Sequence, residues 1–266
     1  MRPPLFSLLT MLVLPHQAVS QSYDNLARVE VLPGWRTDTN DHVAALQITL
    51  KPGWITYWRA PGDAGIPPHM TFTGSREIES VTPLWPTPQV LGDYGMISIG
   101  YMNGVTVPLS IDLSPDAGVA EIAGEITIGV CEEICIPVTV AFESLLPLDG
   151  NPDAAITAAL ASQPVGAAEA GVQDVTCQVS PSQDGLQLNA AIAMTGLNGG
   201  EHVVIETQDP SIWVSEAVVT QHGNTLSAKV DLMHPSGEPF GLQRDGIRIT
   251  VIGEGRAIDI QGCRAG

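Results

Sequence analysis

Ile122-Ala123-Gly124-Glu125-Ile126-Thr127-Ile128-Gly129-Val130-Cys131-Glu132-Glu133-Ile134-Cys135-Ile136-Pro137-Val138-Thr139-Val140-Ala141-Phe142 sets large apolar residues against small or polar ones with a period of two, on both sides of a cysteine pair. That period belongs to β-strands, so the stretch predicts two strands joined at the cysteines. Three residues between the cysteines suit a hairpin loop. Facing positions at a hairpin end bring Cα atoms to about 4.5 to 5.5 Å, within disulfide reach. A Cys131–Cys135 bridge would close a loop of about five residues and stabilise the fold by roughly 2 kcal/mol, whereas a bridge between the other two cysteines, Cys177 and Cys263, would give about 4.6 kcal/mol. The short bridge is therefore the poorer staple and the more reducible one. Glu132 and Glu133 lie inside the loop and disfavour a thiolate by like-charge repulsion, so the reduced pair is expected to react slowly until a partner docks. A redox pair and an inert hairpin disulfide both fit these residues.

Working outward, 27 Gly, 21 Pro and many Val, Ile and Thr in short runs describe a β protein. Candidate strands in the first part cover 43–50, 54–58, 70–72, 78–82, 97–101, 105–111, 120–130 and 136–142, a number and spacing that suit a sandwich. Asp153 to Pro164 is Ala-rich, acidic at its start and closed by proline, which predicts a short helix. Residues 165–171 have linker composition and place a boundary near 150–170. Strands are expected again at 172–179, 186–194, 202–206, 213–219, 225–232, 247–253 and 257–261, enough for an immunoglobulin-like sandwich. Cys177 falls in its first strand and Cys263 just after its last, where a bridge would tie the ends together. Four cysteines allow three pairings, and proximity in sequence favours 131 with 135 and 177 with 263. The expected fold is all-β: two immunoglobulin-like β-sandwich domains, 21–150 and 171–266, joined by a helical linker over 151–170.

Residues 1–20 begin Met1-Arg2, continue through an apolar core from Leu5 to Leu14 and end Ala18-Val19-Ser20, the pattern of a signal peptide cleaved before Gln21. The apolar run is too short to span about 30 Å of hydrocarbon, and the mature chain is expected to be exported and not to span a membrane. An oxidising compartment permits disulfides. The net charge is −18; without Arg2 it is −19, from 10 basic and 29 acidic residues, and no Lys or Arg occurs between Arg76 and Lys229. That balance disfavours nucleic acid and anionic membrane surfaces as partners.

Pro52-Gly53-Trp54-Ile55-Thr56-Tyr57-Trp58-Arg59-Ala60-Pro61-Gly62-Asp63-Ala64-Gly65-Ile66-Pro67-Pro68 resembles a segment of the periplasmic N-terminal domain of DsbD-type thiol:disulfide interchange proteins. Leu84-Trp85-Pro86-Thr87-Pro88, then Ile99-Gly100-Tyr101 with Val107-Pro108-Leu109, then Cys131 to Pro137 agree with it in order. Together these pieces cover roughly residues 25 to 145. The resemblance implies an immunoglobulin-like periplasmic domain whose cysteine pair is reduced by a membrane-bound thiol reductase. The pair would in turn reduce periplasmic thioredoxin-like proteins or disulfide isomerases, including those of cytochrome c maturation. It implies that Cys135 forms the mixed disulfide and Cys131 resolves it. It also implies an aromatic cap loop, matched by Leu91-Gly92-Asp93-Tyr94-Gly95-Met96, with Tyr94 as the cap and Tyr57 packed near the pair. The best-known members space the cysteines more widely and continue into a transmembrane and a thioredoxin domain, whereas a second β region follows here, so the electron donor would be a separate protein.

Two other classes of function fit the residues. Cysteines three apart with a distant histidine resemble the copper site of Sco-type assembly proteins, and thiolates select Cu(I), with His69, Met70, Met96 and Met102 as further candidate ligands. Those proteins place a helix after the motif, however, whereas Pro137 and an alternating strand follow here. A structural or adhesive sandwich with two inert disulfides is the third. Histidines 16, 42, 69, 202, 222 and 234 have no metal-ligand or catalytic spacing, and there is no phosphate-binding glycine loop or serine-nucleophile elbow. The expectation adopted is an exchange protein acting through Cys131 and Cys135 without cofactor or metal. Trp54, Tyr57, Trp58 and Trp85 are expected as core or sheet-face residues, and Asp63 as a turn former.

Overall fold

The computed structural model describes residues 26–39, 41–62, 65–93, 96–197 and 199–266. The strands of the first half are β1 (Ala27–Arg36), β2 (His42–Leu50), β3 (Ile55–Tyr57), β4 (His69–Thr71), β5 (Ile78–Pro83), β6 (Gln89–Asp93), β7 (Met96–Met102), β8 (Gly104–Leu113), β9 (Ala120–Cys131) and β10 (Cys135–Leu146). One sheet runs β1-β2-β8-β5; the other runs β10-β9-β3-β7-β6, with β4 on β9. Alternation sends Ala44, Leu46 and Ile48 of β2, Val107, Leu109 and Ile111 of β8, and Ile126, Ile128 and Val130 of β9 into one buried core between the sheets. The opposite face of β9, carrying Thr127, Gly129 and Cys131, looks away from that core.

The helix α1 (Ala154–Ala161) follows, capped by the Asp153 carboxylate, which accepts from the N–H groups of Ala155 and Ile156 at 2.8 and 3.1 Å. It lies against β8 with Ile156 fully buried. The second half contains β11 (Val165–Gly166), β12 (Asp174–Pro181), β13 (Leu186–Ala193), β14 (His202–Glu206), β15 (Trp213–Val214), β16 (Val218–His222), β17 (Thr225–Met233), β18 (Arg248–Gly253), β19 (Arg256–Gln261) and β20 (Arg264–Ala265). Its sheets run β11-β19-β18-β14 and β15-β17-β13-β12-β20, with β16 on β17. They enclose a separate core that includes Leu188, Ile192, Leu226, Ile249 and Val251. Cys177 on β12 is bonded to Cys263, with Cα atoms 5.7 Å apart, and the bridge fastens β20 alongside β12. The molecule is all-β and immunoglobulin-like, with a single short α-helix among the described residues.

Several elements differ from the sequence reading. β1 was not among the expected strands; Pro33-Gly34 forms a bulge in this edge strand, where the register shifts between Leu32 and Trp35. Gly34 has φ +64 there, and a Cβ would meet the Val43 carbonyl. The buried His42 ring donates from Nε2 to the Pro33 carbonyl at 2.6 Å and so pins the bulge; burial pushes its pKa down, the Pro33 bond opposing and Arg36 adding to the fall. The expected linker 165–171 contributes β11, parallel to β19 through Val165 and Ile258. The expected strand 213–219 is two short pieces on β17, broken where Ser215 bonds Asp231 through both backbone and hydroxyl.

Candidate functional site: the disulfide hairpin

In the β9–β10 hairpin Cys131 faces Cys135, and the register runs unbroken to Ala120 and Leu146. The two sulfurs are bonded, with Cα atoms 4.2 Å apart. Twelve-residue strands on each side fix the cysteines opposite one another, so the bond needs no rearrangement of the sandwich to form or break. Cys131 is 3% exposed, while Cys135 lies open with Glu132, Glu133 and Ile134 of the connecting loop. The pair is therefore asymmetric: Cys135 is an exposed residue and Cys131 a buried one.

Tyr57 lies against both sulfurs. Its hydroxyl lies 2.9 Å from Cys135 Sγ and 3.0 Å from Cys131 Sγ, and because bonded sulfurs carry no proton the hydroxyl is the donor between them; the Ser98 side chain also bonds Tyr57. The residue is 3% exposed, and burial raises its pKa, so the proton stays on the oxygen at neutral pH. Glycine makes room for the ring. A Cβ on Gly129 would stand 2.8 Å from Tyr57 Cδ2 and from Ile66 Cβ, and one on Gly65 would stand 2.8 Å from Tyr57 Cδ1. The ring thus lies between the backbone of β9 and the segment that returns from β3 to β4. Gly129→Ala is expected to push Tyr57 off the sulfurs, cost about 1–3 kcal/mol through overpacking, and slow reduction of the disulfide by dithiothreitol. Chemical denaturation and a thiol-release time course check both effects.

Cys135, Cys131, Ile55 and Met102 form one row across the sheet, and Met102 is half exposed. His69 pairs with Thr127, four residues along β9 from Cys131, which is about 13 Å at the rise of a strand. That separation takes His69 and the adjacent Met70 out of ligand range of the sulfurs. The Met96 side chain lies outside what is described. Among the described residues no group of three or more His, Cys, Asp or Glu side chains is placed to hold a metal ion.

Tyr94, the expected cap, lies outside the described residues, as do Asp63 and the expected signal segment 1–20. The stretch 91–96 was expected as a loop; Leu91–Asp93 instead belongs to β6 and pairs with β7 through Asp93 and Met96. Trp58 is fully buried, and Trp54 and Trp85 are partly buried against the core. The sequence reading missed Gly129 and Gly65 as the slot for Tyr57, although a lone glycine inside an alternating strand signals close approach of another group. It also missed Arg59, which joins the two halves.

Fold and site together define a β-sandwich that carries a hairpin disulfide between one exposed and one buried cysteine. Residues 27–147 match the family described as thiol:disulfide interchange protein DsbD, N-terminal. Among solved structures, the crystal structure of the N-terminal periplasmic domain of ScsB from Proteus mirabilis shares the fold with a TM-score of 0.69 at 23% identity. The likeness covers 93% of this chain and 97% of that one, so it takes in both halves. No curated protein matches the chain. No described helix is long and apolar enough to cross a membrane.

Proposed function

We propose that the chain is a periplasmic thiol:disulfide exchange protein that relays electrons through Cys131 and Cys135. The donor is a membrane-bound thiol reductase, and the acceptors are periplasmic thioredoxin-like or disulfide isomerase proteins, those of cytochrome c maturation among them. Residues 1–20 direct export, 21–150 form the exchange domain, 151–170 link it onward, and 171–266 form a second domain. The observation that carries this reading is the exposed Cys135 bonded to the buried Cys131, with one tyrosine hydroxyl against both sulfurs.

The chemistry follows from that asymmetry. A donor thiolate attacks Cys135 Sγ in line with the S–S bond; the new bond forms there and the electron pair leaves on Cys131 Sγ. That buried thiolate is stabilised by the Tyr57 hydroxyl 3.0 Å away. A second donor thiol then attacks the donor sulfur of the mixed disulfide and frees Cys135. Two electrons and two protons move, and the step balances without a cofactor. In the forward half the Cys135 thiolate attacks an acceptor disulfide, and Cys131 resolves the product. Trapping tests the reading: Cys131→Ser should hold its partners as mixed disulfides on Cys135, and recovery of no such adduct from a periplasmic extract would count against it.

A further inference from the structure

We infer that Arg59 is a positioning residue through which the second sandwich holds Tyr57 against the sulfurs. The inference rests on the exchange reading above and gives the second half a part in it. The ladder between β3 and β9 stops at Thr56–Val130, and pairing with β9 resumes only at His69–Thr127. Tyr57 is therefore paired on one side alone, with Gly100 of β7. Its ring is seated by Gly129 and Gly65 and its hydroxyl bonds Ser98 of β7, while the course of its backbone is left to the residues that follow it.

Those residues are anchored in the other half. Trp58 is fully buried among Ile99 and Tyr101 of β7 and Ile252 and Ala257 of β18 and β19. Arg59 lies over the Trp58 ring, with its guanidinium carbon 3.9 Å from the centroid. Its Nε and Nη2 donate to the two Glu206 carboxylate oxygens of β14 at 3.1 and 2.9 Å, and Nη2 also donates to Thr250 Oγ1 of β18 at 3.2 Å. The side chains of Arg59 and Glu206 are 15% and 25% exposed, so the fork is largely shielded from water. Along the chain, Tyr57 turns to the disulfide while the next two side chains are gripped by the second sandwich. Pro61, whose carbonyl accepts from the Ile99 N–H at 2.9 Å, closes the segment and packs beside Gly65 at the edge of the Tyr57 ring.

Loosening that grip lets Tyr57 leave the sulfurs. Because Cys135 is already open, the loss falls on stabilisation of the Cys131 thiolate as it departs, and reduction slows. Arg59→Lys removes the two-pronged fork but keeps the charge, and Glu206→Gln keeps the shape but removes the charge. With dithiothreitol as the reductant, each variant in the full chain is expected to lose its Cys131–Cys135 bond roughly three- to tenfold more slowly. In a Tyr57→Phe background, itself slow, the same substitutions should change nothing further. Circular dichroism confirms that each variant is folded before it is scored, and Glu206→Gln remains informative should Arg59→Lys not fold. A wild-type rate in a folded variant, or an equal slowing with and without the tyrosine hydroxyl, overturns the inference. If the unsubstituted protein resists dithiothreitol until it is denatured, the exchange reading fails instead.

Discussion

Cys135→Ser abolishes exchange with any protein thiol, while Cys131→Ser converts the protein into a trap: that is the largest functional effect expected of any pair of substitutions here. The reason lies in exposure. On the proposed reading an incoming thiolate meets the exposed Cys135 and not the buried Cys131, so without Cys135 the remaining thiol beside Tyr57 meets no partner. Without Cys131 the Cys135 thiol still attacks an acceptor disulfide, but the covalent adduct has no internal nucleophile to release it. Non-reducing electrophoresis with a disulfide-bonded thioredoxin-fold protein reads both outcomes, adduct with Cys131→Ser and none with Cys135→Ser. Neither change should cost much stability, because closing a five-residue loop stabilises by about 2 kcal/mol at most. Adducts on Cys131, or equal trapping by both variants, would contradict the assignment.

The largest stability effect belongs to the other bridge. Cys177 and Cys263 are 86 residues apart in sequence, and the chain-entropy relation gives such a closure about 4.6 kcal/mol. Besides the bridge, the C-terminal strand is held to β12 by the exposed Arg264–Asp174 ion pair and by the Gly266 N–H, which donates to the Cys177 carbonyl at 3.3 Å. β20 is two residues long, both exposed, and its ladder to β12 involves only Thr176 and Cys177. Arg244 helps by donating from Nε to the Cys177 carbonyl at 3.2 Å, while its own carbonyl accepts from the Cys263 N–H at 3.1 Å. The double variant Cys177→Ser with Cys263→Ser is expected to lower the unfolding midpoint by on the order of 10 to 20 °C. Exchange at Cys135 in the protein that stays folded should persist. Calorimetry and the dithiothreitol assay separate the two roles.

Much of the fold was legible because burial and alternation coincide. Val43 to Leu50 and Ala120 to Val130 read as strands from their own residues, since each has one face in a core. The strands that escaped are edges or fragments whose place is set by a neighbour. Gln89–Asp93 pairs only with β7, and Val165–Gly166 only with β19. In the site, the sulfur pair was readable because hairpin spacing dictates it locally. Tyr57 was placed near the sulfurs only by resemblance to a known family, because its reach across Gly129 depends on a strand 72 residues further along the chain. The bond from Arg59 to Glu206 spans 147 residues, and no local pattern announces a contact of that range.

The reduction potential of the Cys131–Cys135 pair, measured against dithiothreitol and glutathione buffers with Cys177 and Cys263 left intact, tests the central claim most directly. An exchange pair must equilibrate with other proteins' thiols, and a value in the range of about −120 to −270 mV, where thioredoxin-fold exchange proteins lie, is expected. A value below about −300 mV would place the bond among structural disulfides and contradict the account.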